Sequence, residues 1–187
     1  GLLDRLGLSA SDLECGAHLP INAAARHALQ ARGDSPSNLH NACSGKHSGM
    51  LSVALAMGQP TAGYASREHA VQQQVRAAIE LVTGETLTEA KCGTDGCSIP
   101  TYAAPLRGFA RGLARMATGE GLPPELALAA RRLFDAATAH PHLVGGTGQA
   151  DTQIMAAFNG RVMQKFGADG VQCGAIRDKG WGYALKC

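Results

Sequence analysis

Ten residues concentrate most of the reactive side chains of this chain: Asn41-Ala42-Cys43-Ser44-Gly45-Lys46-His47-Ser48-Gly49-Met50 hold a thiol, hydroxyls, an amine and an imidazole. The apolar positions Met50, Val53, Ala54 and Met57 recur at three- and four-residue intervals and stop at Gly58. That spacing predicts an amphipathic helix starting near Ser44 or Gly45. Cys43 and Lys46 then sit three apart at its N-terminus, where unpaired N–H groups, the helix dipole and the ammonium all favour an anion. A thiolate there can act as nucleophile or as metal ligand. A plainer reading has Ser44 capping the helix, Gly45 and Gly49 allowing close packing, and Cys43 serving as a small buried hydrophobe.

A second dense stretch, Lys91-Cys92-Gly93-Thr94-Asp95-Gly96-Cys97-Ser98-Ile99-Pro100, carries an acid and two thiols among turn-forming residues. Its glycines, Asp and Pro demand a tight loop with special backbone angles. The Cys92 and Cys97 spacing is not the Cys-x-x-Cys of a zinc knuckle, and Asp95 is equally explained as an Asx turn residue. The glycine-rich stretch His140 to Gly148 lacks the lysine-serine ending of a phosphate loop, which argues against nucleotide binding.

These stretches need elements to hold them. Leu2 to Leu8 reads as a helical turn, and Asn22 is placed to cap a helix from Ala23 to Ala31 that Gly33 ends. Ser66 to Val82 carries the stripe Val71, Val75, Ile79 and Val82, with Gly84 as its stop. Ala104 to Thr118 and Pro123 to Ala139 are amphipathic helices, the latter opened by a proline pair. Asp151 is expected to cap a short helix to Phe158. The period then changes: Arg161 to Phe166, Gly170 to Ile176 and Gly182 to Cys187 read as strands of an antiparallel meander, with Lys165 in the first.

Composition narrows the class. At 187 residues, with 45% hydrophobic and 17% charged residues, the chain fits one domain with a proper core. A formal net charge of +2, scattered Lys and Arg and 4% aromatics argue against nucleic acid. No run of apolar residues is long enough to span a membrane. Six cysteines without secretory features read as free thiols or metal ligands, with the cytoplasm as the default compartment. The start at Gly1 without an initiator Met, and the end inside an expected strand, suggest a portion of a longer protein.

Four motifs in order resemble the asparaginase II family, the thermolabile rhizobial-type L-asparaginases: Asn41 to Met50, Asp95 to Pro100, His140-Pro141 with Val144-Gly145-Gly146, and Lys165-Phe166-Gly167-Ala168-Asp169-Gly170-Val171. The resemblance spans nearly the whole chain. It implies an α/β fold like the serine β-lactamases and penicillin-binding proteins, helices on an antiparallel sheet, treated as one domain over residues 1–187. It implies hydrolysis of L-asparagine to aspartate and ammonia by a serine that lysines activate, beside Zn2+. Carried over by motif, Cys43, Lys46 and Cys97 are the zinc ligands. His47 and Asp95 orient those ligands or meet the charged ends of the substrate, and Lys165 is the further catalytic lysine, with Lys186 as the alternative. A homodimer is the expected assembly, with no nucleic acid or membrane partner.

The resemblance also implies a nucleophilic Ser-x-x-Lys pair upstream of Cys43. None precedes Cys43, and Ser9, Ser11, Ser35 and Ser37 lack the pattern, so the family's nucleophile is expected to lie outside these residues. Two positions depart from the family pattern: Ala70 follows His69 where proline is usual, and Gln149 stands where an arginine commonly precedes Asp151-Thr152. Two other readings remain. Cys43 can act as nucleophile with His47, four residues on, as its base. Alternatively, the chain is a degenerate homologue that binds zinc or an amino acid without cleaving it.

Overall fold

Asn22 caps a helix as its position suggests: its Oδ1 accepts the Ala25 N–H at 3.0 Å, and the helix runs Ala23–Ala31. The computed structural model describes all of residues 1–187 and contains eight helices and small antiparallel sheets, an α/β chain. Its residues group into two compact units, Gly1–Ala77 with Thr88–Ala103, and Ala78–Leu87 with Ala104–Cys187. No helix is long and apolar enough to cross a membrane.

The first unit contains α1 (Leu2–Arg5), α2 (Ala23–Ala31), α3 (Ser44–Ala56), the opening turns of α4 (Ala70–Thr83), and a hairpin of β1 (Cys92–Thr94) and β2 (Pro100–Tyr102). Its core joins Leu3, Leu13, Met50, Leu51, Ala54, Tyr64, Val71 and Ile99, together with the thiols Cys15 and Cys97. Of the expected stripe on α3, Met50 and Ala54 enter the core, joined by Leu51, while Val53 and Met57 stay exposed. Helix α4 starts at Ala70 rather than Ser66. The reason is local: His69 Nδ1 accepts the Val71 N–H at 3.2 Å while Nε2 bonds the Pro60 carbonyl at 3.0 Å, so His69 ends a turn and opens the helix. The hairpin was not legible in the sequence, because strands of three residues are too short to show a period.

The second unit carries the rest of α4, then α5 (Leu106–Thr118), α6 (Pro124–Ala139), α7 (Pro141–Gly145), α8 (Ala150–Ala157) and the three-stranded sheet β3 (Val162–Phe166), β4 (Val171–Ile176) and β5 (Trp181–Lys186). The sheet is the expected antiparallel meander, with Lys165 opposite Cys173. One face meets the helices through Met163 and Ala175, against Leu113, Ala117 and Phe134. At Gly182 a side chain would collide with the Ala110 carbonyl, so strand and helix approach backbone to backbone. Arg111 ties α5 to the end of α4, donating from Nε to the Thr83 carbonyl at 2.8 Å and pairing with Glu85 at 3.0 Å.

Two local expectations are corrected here. The stretch after His140 is not all loop: Pro141, suited to a first helical turn, opens the single turn of α7, which Gly146 ends at φ 89°. Helix α8 is flanked by Gln149 at the N-cap, and Asp151 lies inside the first turn. Asp151 is 1% exposed and its carboxylate turns inward to the sheet instead of capping.

Core burial predicts stability. Leu51→Ala, at a site with no exposure, is expected to cost about 2–5 kcal/mol. Leu133→Ala, on a side chain 62% exposed, is expected to stay within about 0.5 kcal/mol. Urea unfolding followed by circular dichroism distinguishes the two, and equal losses would contradict the core described above.

Candidate functional site

In the first unit the two dense motifs meet. Cys43 occupies the N-cap of α3, and its N–H is held by Asn41 Oδ1 at 2.9 Å. Asn41 Nδ2 in turn donates to the carbonyls of Cys15, at 2.8 Å, and Gly16, at 3.1 Å, so one amide anchors the start of α3 to the preceding loop. From the other side comes the hairpin tip. The Asp95 N–H donates to the Ile99 carbonyl, and the Ser98 N–H to the Asp95 carbonyl, both at 2.8 Å. Ser98 sits at φ 75°, a left-handed conformation that side chains other than glycine adopt at a cost. This tight tip projects Asp95 and Cys97 toward α3.

The Sγ atoms of Cys43 and Cys97 and a carboxylate oxygen of Asp95 all lie within 4.8 Å of one another. Lys46 Nζ donates to Asp95 Oδ2 at 3.2 Å, and Cys97 Sγ contacts the same oxygen at 3.3 Å. The Gly96 N–H donates to Asp95 Oδ1 at 2.7 Å. Cys97 is buried, while Lys46 and Asp95 are each somewhat over one-third exposed, so the cluster has a dry floor and an open mouth.

Charge within the cluster is set by these contacts. Burial alone would pull the Lys46 ammonium down, but Cys97, Asp95 and the nearby Cys43 outweigh it and hold its pKa above the ordinary value. Burial would raise the Asp95 carboxyl, yet the hydrogen bonds from Lys46, Cys97 and the Gly96 N–H bring it below the usual carboxylate range. Burial pushes the Cys97 thiol up to about 11, and the nearby ammonium only partly offsets it. The metal-free cluster is therefore an ammonium and a carboxylate beside a protonated Cys97 thiol.

Beneath it lies His47, fully buried and edge-on to Tyr64 with ring centroids 5.4 Å apart. Tyr64 Oη lies 2.6 Å from His47 Nδ1 and accepts the Glu14 N–H at 2.9 Å. A phenol oxygen that already accepts one N–H is the better donor to Nδ1, and that assignment puts the ring proton of neutral His47 on Nε2. Nε2 is buried and its nearest polar neighbour is the Cys97 backbone, short of good hydrogen-bond geometry. Burial first, then the Lys46 charge, hold the imidazole below its ordinary pKa. Glu14 completes the support: its two carboxylate oxygens accept the N–H groups of Gly63, at 2.6 Å, and Ala65, at 2.9 Å, on either side of Tyr64.

The residues singled out in the sequence divide as follows. Cys43, Lys46, Asp95 and Cys97 come together. His47 lies under them, closed to solvent; its backbone N–H donates to the Cys43 carbonyl at 2.9 Å within the helix, and no hydrogen bond joins its ring to Cys43. Lys165 lies in β3 of the second unit, where its Nζ donates to the Phe166 carbonyl at 2.8 Å and stands 3.7 Å from the centre of the Phe166 ring. Lys186 is exposed at the end of β5 and bonds the Asp169 carbonyl. Asn41, Glu14 and Tyr64 were not singled out. Asn41 lay inside the motif and was open to notice; Glu14 and Tyr64 sit in loops without a period to mark them.

Two comparisons with known proteins bear on the chain. A family model described as L-asparaginase II matches residues 1–187, the entire chain. No curated protein matches it.

Tyr64→Phe removes the partner of two buried groups, the Glu14 N–H and His47 Nδ1. The expected loss is about 1–3 kcal/mol. Nitrogen-15 NMR of the wild-type protein should show His47 Nδ1 unprotonated and Nε2 protonated; a Tyr64→Phe protein with unchanged stability and unchanged ring-nitrogen shifts would contradict this arrangement.

Proposed function

The chain belongs to the L-asparaginase II family, and on that footing we propose that it acts as an amidohydrolase converting L-asparagine and water to L-aspartate and ammonia, with Cys43, Lys46 and Cys97 holding Zn2+. The observation that carries this reading is the convergence of two thiols, an amine and a carboxylate, drawn from separate motifs, on one half-open cluster.

The donor set fits the metal. Two cysteine sulfurs within 4.8 Å of each other suit a borderline-soft cation that favours thiolate ligands. Asp95 lies at the same distance range and serves the site in either of two ways, as the hydrogen-bond partner that orients Lys46 or as a ligand oxygen itself. When bound, zinc supplies a fixed positive charge that stabilises both thiolates and a Lewis-acidic anchor beside the substrate. Lys46 enters such a shell only as the neutral amine, so its proton, held tightly by Asp95 and Cys97 in the free protein, has to leave. Metal affinity accordingly rises with pH.

The proposed chemistry is acyl transfer. A serine oxygen attacks the side-chain amide carbon as its proton passes to a lysine, and the C–N bond breaks as that proton goes to the departing ammonia. Water then adds to the acyl carbon, breaking the ester bond to release aspartate and returning a proton to the serine. Lys165 is assigned the proton-carrying role on its Lys-Phe-Gly-Ala-Asp-Gly-Val motif. The serine is not assigned to a residue of this chain, since no Ser-x-x-Lys pair lies ahead of Cys43. The thiol alternative is disfavoured by geometry: His47 Nδ1 is taken by Tyr64, and the ring makes no hydrogen bond to Cys43. A cytoplasmic homodimer acting on a small molecule completes the proposal.

Metal content by elemental analysis tests it, on the full-length gene product purified without added metal. One equivalent of zinc is expected in the wild type and none in Cys97→Ser, with the wild-type affinity weakening as pH falls. Lys165→Met should retain zinc and lose ammonia release. Zinc-free protein with full activity would remove the metal from the reading, and an active Lys165→Met protein would remove Lys165.

A further inference from the structure

The second unit holds a buried acid that the proposed chemistry does not use. Asp151, on α8, is 1% exposed. Its Oδ1 accepts from Gln164 Nε2 and from Gln172 Nε2, each at 3.0 Å, and its Oδ2 accepts the backbone N–H of Phe166 at 2.7 Å. Gln164 Oε1 accepts from Tyr183 Oη at 2.7 Å, so the network links α8 to β3, β4 and β5. Gly174 leaves the space for it: a side chain there would run into the Tyr183 hydroxyl. The donors reaching Asp151 in this network are neutral, and a buried carboxylate is costly unless hydrogen bonds such as these offset its lost hydration.

That geometry is centred on one residue. Gln164 and Phe166 are the two neighbours of Lys165 in β3, and Asp151 holds one by its side chain and the other by its backbone. Phe166 in turn holds Lys165, with its carbonyl accepting from Nζ at 2.8 Å and its ring 3.7 Å from the ammonium. A continuous set of contacts therefore runs from Asp151 through the Phe166 peptide to the Lys165 amine. Lys165 itself alternates to the opposite face of the strand, which it shares with Cys173. The acid and its glutamines thus brace the strand on either side of the lysine, and the amine folds back onto Phe166.

We propose that Asp151 is a positioning residue for Lys165: it holds the Gln164 side chain before the lysine and the Phe166 N–H after it, and so sets the place and freedom of the amine. The consequence for catalysis rests on the assignment of Lys165 as proton carrier above; the positioning itself does not.

The two are separable by experiment. Competitive labelling of lysines by acetic anhydride, read peptide by peptide in a mass spectrometer, reports the freedom of Lys165 whether or not the protein turns over substrate, with exposed Lys179 as internal reference. Asp151→Asn keeps the shape and the acceptor oxygen for the glutamines but places an NH2 against the Phe166 N–H. It should raise Lys165 labelling several-fold relative to Lys179. Gln172→Met removes one donor to Oδ1, leaves the Phe166 link, and should leave that ratio unchanged. In the full-length gene product Asp151→Asn should also lower kcat, by up to about 100-fold, with KM little altered.

An unchanged labelling ratio in folded Asp151→Asn overturns the proposal. So does an equal rise in Gln172→Met, which would mark general loosening of the sheet. If Asp151→Asn fails to fold, Phe166→Leu keeps the backbone link but removes the ring beside Nζ. A rise in Lys165 labelling there supports the chain of contacts, and no rise overturns it. An active Lys165→Met enzyme would sink the catalytic assignment, while the labelling ratio would still decide whether Asp151 positions the lysine.

Discussion

Helix α3 is the constraint from which the first unit is built. Its buried face places Met50, Leu51 and Ala54 in the core, and burial of these side chains is the main stabilising term available to the unit. The same helix carries Cys43 at its N-cap and Lys46 one turn later. Once the apolar face is seated, the direction in which thiol and amine leave the helix is settled. His47 falls on the inner side of that boundary, which is why a polar ring is found fully buried and why Tyr64 holds it.

Both units use a carboxylate in the same way. Glu14 accepts the N–H groups of Gly63 and Ala65, bracketing Tyr64; Asp151 takes the side chain of Gln164 and the N–H of Phe166, bracketing Lys165. In each case one carboxylate holds the neighbours on either side of a residue, through two backbone N–H groups around Tyr64 and through one side chain and one N–H around Lys165. A carboxylate suits the task because its two oxygens accept from separate donors at once, and charge-assisted bonds are stronger than neutral ones. The residue between the clamps keeps its own side chain free for another partner: His47 for Tyr64, and the Phe166 ring and carbonyl for Lys165.

The cluster at the mouth of α3 is electrostatically self-contained. Lys46 and Asp95 neutralise one another, and the Cys97 thiol is kept protonated by burial. The strained Ser98 backbone belongs to this arrangement. It lies in the tip that turns Asp95 and Cys97 toward α3.

Much of the chain was determined locally. The cap at Asn22, the span of α3, the helices α5 and α6 and the three-strand meander follow from capping side chains and from apolar periods long enough to register. The motif residues Cys43, Lys46, Asp95 and Cys97 stood out by type and by family resemblance. Their meeting was decided by tertiary structure alone, because nothing local to either motif records that a two-strand hairpin brings residues 49 positions apart, Lys46 and Asp95, to 3.2 Å. The same holds for Asp151. Its sequence neighbourhood reads as a helix cap, since Asp before an apolar run usually is one, but a buried sheet face with two glutamines and a free N–H offered a better set of donors. Local chemistry specified the elements and their reactive residues; long-range packing chose their partners, because a hydrogen-bonding group is satisfied by whatever the fold brings nearest, and sequence distance carries no record of that.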